Sequence, residues 1–280
     1  MSINLISKLY IGYFGRAGDP AGLDYWLQRM SGENEAPMSL ADIAQSFSVQ
    51  PESTGQYPFL ADPSEDPVPF LLAVYKNLFN RDSIDEDGLI YWTGQIASGR
   101  PIGLIIIDII SGAQGADAAM VENKAEVAAY YTEQYKQSGA EWDGNDLAGA
   151  KAVLSGVTAD PETVAPAKSA VDAVIVEDLP TYSVRATEAT ADEGQWATFV
   201  IETSKVAPGT TIAYTLTGVS ADDVVGGQLT GEAIVGEDGT VQVIVELVAD
   251  LLTGAPPIVD PAPYAPERLA DSARGKVAAF

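Results

Sequence analysis

Forty Asp and Glu side chains, with no histidine and no cysteine, set the chemistry open to this 280-residue chain. Without histidine there is no imidazole base, no Ser-His or Cys-His nucleophile pair and no usual transition-metal ligand. Without cysteine there is no disulfide, zinc thiolate or thiol nucleophile. Any bound ion would have to be held by oxygen, which points to calcium or magnesium and away from zinc, copper and haem. One acidic turn, Asp82 to Asp87, comes near a calcium loop. A register begun at Ser83 places Asp85, Asp87 and Gly88 correctly, yet it has Gly94 where the bidentate glutamate belongs. The same carboxylates also suit a helix start, where the dipole favours negative charge. Asp143-Gly144-Asn145-Asp146 offers further oxygen ligands and equally reads as a polar turn. The pairs Tyr25-Trp26 and Tyr91-Trp92 could stack on sugar rings, although tryptophan at one place in each copy of a repeat also marks a core position. No spacing singles out two acids as a catalytic pair, and no phosphate-binding glycine pattern occurs.

The elements that carry these residues come in two copies. Phe14-Gly15-Arg16-Ala17-Gly18-Asp19-Pro20-Ala21-Gly22-Leu23-Asp24-Tyr25-Trp26 returns as Phe79-Asn80-Arg81-Asp82-Ser83-Ile84-Asp85-Glu86-Asp87-Gly88-Leu89-Ile90-Tyr91-Trp92, with one inserted residue. Leu9-Tyr10 is matched by Val74-Tyr75 at the same distance before the Phe. Six residue types recurring in one order indicate an internal repeat. Each copy predicts a helix, a short loop and a second helix. Asp19 before Pro20 is an N-cap followed by a first-turn proline, and Asp85 is the equivalent cap. Leu23, Trp26 and Leu27 share one face of the helix that follows. Arg16 and Arg81 are each expected to pair with a helix-end carboxylate or carbonyl.

This pattern resembles the helical DUF4214 domain over roughly residues 3–135. The resemblance implies a large bacterial surface or secreted protein, often S-layer-like or bearing calcium-binding repeats, and implies no particular reaction. The repeats occupy about 3–50 and 70–117, joined by a Pro-, Ser- and acid-rich loop from Gln50 to Pro69. Ser39 with Asp42 reads as a capping box ahead of an amphipathic stretch. Leu104 to Ile110 has β propensity, but its place in the repeat predicts a buried helix. Val121, Ala125, Ala128, Tyr131 and Tyr135 predict a helix over 118–137 that packs back on the repeats, completing a helical domain at 1–137. Residues 138–180 read as a linker holding a short helix at Leu147 to Leu154 and a strand at Val171 to Val176.

From Tyr182 the pattern changes to alternation, with β-type runs from Trp196, Thr211, Gln228 and Thr240 separated by turn residues. This predicts an antiparallel β-sandwich over 181–253. Asp192-Glu193-Gly194 ahead of these strands resembles Calx-β-like and related immunoglobulin-like repeats of bacterial adhesins. On that resemblance Asp192, Glu193, Asp222 and Asp223 match loop positions that bind calcium. The chain departs from it after Thr253, where the Pro-rich run 254–280 replaces an acidic loop and last strand. That departure predicts an incomplete sandwich with an edge open to a partner strand, and a mobile tail.

The fold class is therefore multidomain α plus β, an all-α helical repeat domain followed by an antiparallel β-sandwich. A net charge of −25 makes nucleic acid and anionic membrane poor partners. Ile102 to Ile110 is broken by Gly103 and Asp108 and is too short to span a bilayer, so no transmembrane segment is expected. The first residues have no Sec signal pattern. Location at the surface by signal-peptide-independent, type I-like secretion fits the resemblance, and a cytoplasmic location is what the lack of a signal pattern and of a spanning run would suggest by itself. The expected function is non-catalytic: surface-layer, adhesion or matrix attachment through self-assembly, with calcium as the one ion in view and no other cofactor. The alternatives are a module binding surface polysaccharide through Trp26, Trp92, Tyr25 and Tyr91, and a carboxylate-dependent hydrolase.

Overall fold

The computed structural model describes residues 2–33, 35–140, 142–188, 191–249 and 258–261. The chain divides into two compact units, Met1–Glu177 and Asp178–Phe280. Helices fill the first and antiparallel strands the second, as the sequence pattern predicts.

The first repeat supplies α1 (Ser2–Phe14), α2 (Pro20–Ser31) and α3 (Leu40–Ser48), and the second supplies α6 (Val68–Phe79), α7 (Glu86–Ala97) and α8 (Ile102–Gly112). Two short helices, α4 (Pro51–Gln56) and α5 (Pro58–Ala61), lie between them, and the long α9 (Gly115–Ser138) follows. α1 is the central element, touching α2, α3, α6, α8 and α9. Every residue from Leu9 to Phe14 is buried, so the second half of the helix is enclosed on all sides. A helix apolar on every side must be enclosed by others. Side-chain hydrogen bonds join it to neighbouring elements at three points. Tyr13 OH donates to the Ala44 carbonyl at 2.8 Å, Tyr57 OH donates to the Tyr13 carbonyl at 2.8 Å, and Asn77 Nδ2 donates to the Gly12 carbonyl at 3.1 Å.

The caps are repeated with the sequence. Gly22 N–H donates to Asp19 at 2.6 Å and Gly88 N–H to Asp85 at 2.8 Å. The Ser39–Asp42 capping box also forms. α8 is the buried helix that its position predicts, with Ile105, Ile106 and Ile109 in the core. It meets α3 at Gly103, where an added Cβ would stand 2.3 Å from the Gln45 backbone nitrogen. At the same crossing the Gln45 side chain accepts the Gly103 N–H at 2.9 Å, which supplies the cap that Pro101 does not.

Residues 138–180 are not a linker. They form α10 (Asp146–Ala152), a 3₁₀ turn at Pro161–Thr163 and α11 (Val164–Asp178), so the strand expected at Val171 to Val176 is helix. Val164, Ala167, Val171 and Ile175 are buried at helical spacing in the same core as the repeats. Pro166 lies in the first turn of α11, where its missing N–H has no partner to lose. Ala150, Val153, Leu154 and Val157 join that core, and Ala17 N–H donates to the Ala150 carbonyl. The helical unit therefore reaches about forty residues beyond the predicted boundary at 137.

The second unit has two three-stranded sheets. One has the order β1 (Thr181–Ala186), β2 (Trp196–Ser204), β5 (Thr240–Glu246); the other β4 (Thr230–Ile234), β3 (Thr211–Thr217), β6 (Ile258–Pro261). All pairs are antiparallel. Phe199, Ile201, Val241 and Val243 from one sheet share a core with Ile212 and Leu216 from the other. The sixth strand corrects the expectation of an open edge. Ile258 to Pro261 pairs along β3, from Thr217↔Ile258 to Tyr214↔Pro261, so the chain fills that edge itself. Proline is compatible with this ladder because β6 lies at the rim of its sheet and Pro261 ends it. The rest of the predicted mobile tail lies outside the described residues. Among the described residues no single helix is long and apolar enough to cross a membrane.

The Gly103 crossing is testable. Gly103→Ala forces a methyl group into the α3 backbone and is expected to cost about 1–3 kcal/mol in urea denaturation. Gly94→Ala, in α7 with nothing within 4 Å of the added carbon, is expected to gain about 0.5–1 kcal/mol.

Candidate functional site

Arg16 closes the turn between α1 and α2 and is only 4% exposed. Nε and Nη2 donate to the two Glu52 oxygens at 2.9 and 2.7 Å, and Nη1 donates to the Ala17 carbonyl at 2.9 Å. The Tyr10 and Phe14 rings lie 5.0 and 5.2 Å from the guanidinium carbon. Asp19, the α2 cap, stands 3.8 Å away. A buried cation needs this degree of satisfaction, since an unpaired one would carry a large desolvation cost. Burial acts to lower the Arg16 pKa, but the hydrogen bonds and charge of Glu52, with Asp19, outweigh it and hold the group above its ordinary value. Burial and the Asp19 charge push the Tyr10 phenol far up. A cleft of about 450 Å³ opens over this cluster, lined by Tyr10, Arg16, Asp19, Tyr25, Trp26 and Glu52.

The second copy repeats the geometry in looser form. Arg81 pairs with Asp117 at 2.7 Å but is half exposed. Each carboxylate stands 36 residues after its arginine, Glu52 in the first turn of α4 and Asp117 in the first turn of α9. The expectation of a helix-end carboxylate holds for both arginines. The repeat thus extends to the acid that closes it.

The aromatic pairs match closely. Tyr25–Trp26 and Tyr91–Trp92 meet edge to face at 4.8 and 4.7 Å, both at 72°. In both copies the tyrosine faces out, Tyr25 at 52% and Tyr91 at 53% exposed. Trp26 is buried against Phe47 at 5.2 Å. Trp92 is partly buried and donates its Nε1–H to Tyr75 OH at 2.8 Å. The tryptophans therefore serve the fold, and only the tyrosines stand at the surface. The exposed tryptophan is instead Trp196, at 60%, outside the repeats. Strand alternation marks it, because Ala197, Phe199 and Ile201 point into the sandwich and so place Trp196 on the other face.

The carboxylates proposed as calcium ligands are not gathered. Among the described residues, no three acids come together where they could hold a metal ion. Asp223 accepts from Ser220 N–H and Oγ–H, which hold its carboxyl below the usual range. Asp85 is the α7 cap and Asp87 an exposed first-turn residue. Asp192, Glu193 and Asp222 are exposed. Asp143 accepts Asn145 N–H, and its own N–H donates to Asp146, which makes that segment a polar turn.

One further charged group lies inside the helical unit. Lys124, 3% exposed, donates to the Asn77 carbonyl at 2.6 Å and to Asn80 Oδ1 at 2.7 Å. It thereby caps the end of α6, where Asn80 takes the left-handed conformation at φ 55°. Burial, helped by the Lys76 charge, brings its pKa down to about 8. The signal was in the sequence: Lys124 sits on the same stripe as Val121 and Ala128 of α9.

Comparison with protein-family models, curated proteins and solved structures finds no match to this chain. The class defined by its own geometry is a two-copy helical repeat unit followed by a two-sheet β unit.

The two arginines are expected to differ. Arg16→Met should cost about 3 kcal/mol in denaturant unfolding, as breaking a buried pair does. Arg81→Met, at a half-exposed pair, should cost less than about 1 kcal/mol. Lys124 gives a pH signature. Its folded-state pKa is below its unfolded value, so its destabilising contribution is full below pH 8 and is relieved as pH rises from about 8 toward 10.5. The stability of the protein relative to Lys124→Met should therefore rise over that window. Above pH 10 both proteins should lose stability, because burial pushes Tyr57 up to about 12 and raises Tyr10 and Tyr13 further. Thermal melts from pH 7 to 10.5 test both signs.

Proposed function

We propose that this chain is a non-catalytic structural protein of the bacterial surface or surroundings, in which a DUF4214-type helical repeat is joined to an adhesin-like sandwich. One observation carries the reading. The polar residues that recur between the copies are spent on holding each copy together: Asp19 and Asp85 as caps, Arg16 and Arg81 on the carboxylates that close the repeats. A motif of this kind is retained for shape, which leaves its faces to act by contact with other molecules. Calcium is not part of the proposal, since the acids in question act as caps and exposed turn residues. A second reading, saccharide binding, is favoured by the cleft over Arg16. Half-exposed Tyr25 offers a ring there, and Asp19 and Glu52 offer acceptors for hydroxyl groups.

Protease treatment of intact cells, followed by mass spectrometry of surface, medium and cell fractions, tests the location. The protein is expected in the shaved or secreted fraction. Protection until lysis would defeat the surface reading. On a glycan array Tyr25→Ala, which removes an exposed ring and leaves the core intact, separates the second reading from the first. Binding that it abolishes supports the cleft, and a blank array removes it.

A further inference from the structure

The two copies differ most in what covers their second helix. In the first, α9 lies against α2, whose Leu23 and Trp26 are buried. It holds α2 through an ion pair from Lys136 to Asp24 and holds the preceding turn through Thr132 Oγ1–H to the Gly18 carbonyl at 2.7 Å. In the second copy α7 packs mainly on the neighbouring helices α6 and α8, and among the described residues none of its side chains is fully buried. The residue in the place of Asp24 is Ile90, 63% exposed, beside Tyr91 at 53%. An isoleucine and a tyrosine adjacent on one exposed helix face cost solubility unless something covers them.

We propose that α7 is the docking face for a cation-bearing amphipathic helix of another protein, bound as α9 binds α2 within this chain. The proposal rests on the reading of this protein as one that acts through its faces. Charge complementarity selects the occupant. Glu86 and Asp87 lie one turn before Ile90 and Tyr91 and have no ion pair among the described residues. A second copy of the chain, at −25, would bring like charge to an acidic face. A helix with an apolar stripe and flanking Lys or Arg fits both the isoleucine and the acids.

The probe is a pair of labelled helical peptides with one leucine stripe, flanked by lysines in one and by glutamates in the other. Each is titrated by fluorescence anisotropy into the full chain. The lysine peptide is expected to bind, and Ile90→Asp to weaken it roughly tenfold or more, as loss of a central apolar anchor does. Ile244→Asp, at an exposed site on the β unit, is expected to leave binding unchanged. Ile90 is exposed, so the variant should fold, which circular dichroism checks. Failure of the lysine peptide, equal binding by the glutamate peptide, or indifference to Ile90→Asp would each overturn the proposal. So would concentration-dependent dimers in light scattering that Ile90→Asp dissolves, which would assign the face to a second copy. Cell fractionation is indifferent to this titration, so a failed peptide experiment leaves the surface reading standing.

Discussion

The helical unit turns on one guanidinium group that is almost withdrawn from solvent. Arg16 is held by both oxygens of Glu52 and packs against the rings of Tyr10 and Phe14. An interior arginine is stable only if most of its donors are matched, and matching them fixes several elements together. Glu52 brings α4 back over the turn, the Ala17 carbonyl sets the loop, and Asp19 nearby is the cap that starts α2. Gly22 is then required, because a Cβ there would come 2.3 Å from Tyr10 OH and 2.7 Å from Asp19. The recurring Arg, Asp and Gly of the repeat are thus parts of one packing problem.

The second copy shows what changes when the surroundings are relaxed. Arg81 has its acid at the same sequence distance but remains half in solvent, where an ion pair is screened and contributes little. Tyr75, the counterpart of Tyr10, accepts a hydrogen bond from Trp92 in place of shielding a buried charge. Asn80 replaces Gly15, takes the left-handed turn and receives Lys124 from α9. Divergence between the copies has moved the polar anchor from the arginine to a lysine of the following helix.

The sequence was most legible where a residue acts on its own neighbours. Asp19, Asp85 and Ser39 could be assigned because capping acts over three residues, and α8 because the repeat predicted its place. Partners distant along the chain were not legible: Arg16 announced a helix-end acid, but nothing local named Glu52. At α11 the prolines at 161, 166 and 180 mask the helical spacing of Val164, Ala167, Val171 and Ile175, although Pro166 in a first helical turn breaks nothing. At β6 the same residue type misleads in the same way, since proline excludes a strand from the middle of a sheet but not from its rim. The carboxylates read as calcium ligands are hard to assign from sequence, because an acid that caps a turn and an acid that binds an ion look alike there. Ser220 shows which of these Asp223 is.

The tryptophans show how burial decides function more than residue type does. Trp26 and Trp92 recur at a fixed place because the repeat needs a large apolar ring beneath each tyrosine, and their indoles are consumed by Phe47 and Tyr75. Trp196 stands at the start of β2, opposite Glu246 in register, with Ile244 diagonally next to it and also exposed. A ring there contributes nothing to the sandwich core that Ala197 or Phe199 does not already supply. Its cost to solubility is the same kind of cost that Ile90 carries on α7. Each unit therefore has a closed interior and an exposed apolar face of its own, in a chain whose charge discourages it from covering those faces with copies of itself. Contact with molecules of other chemistry is the use of such faces that the electrostatics favours.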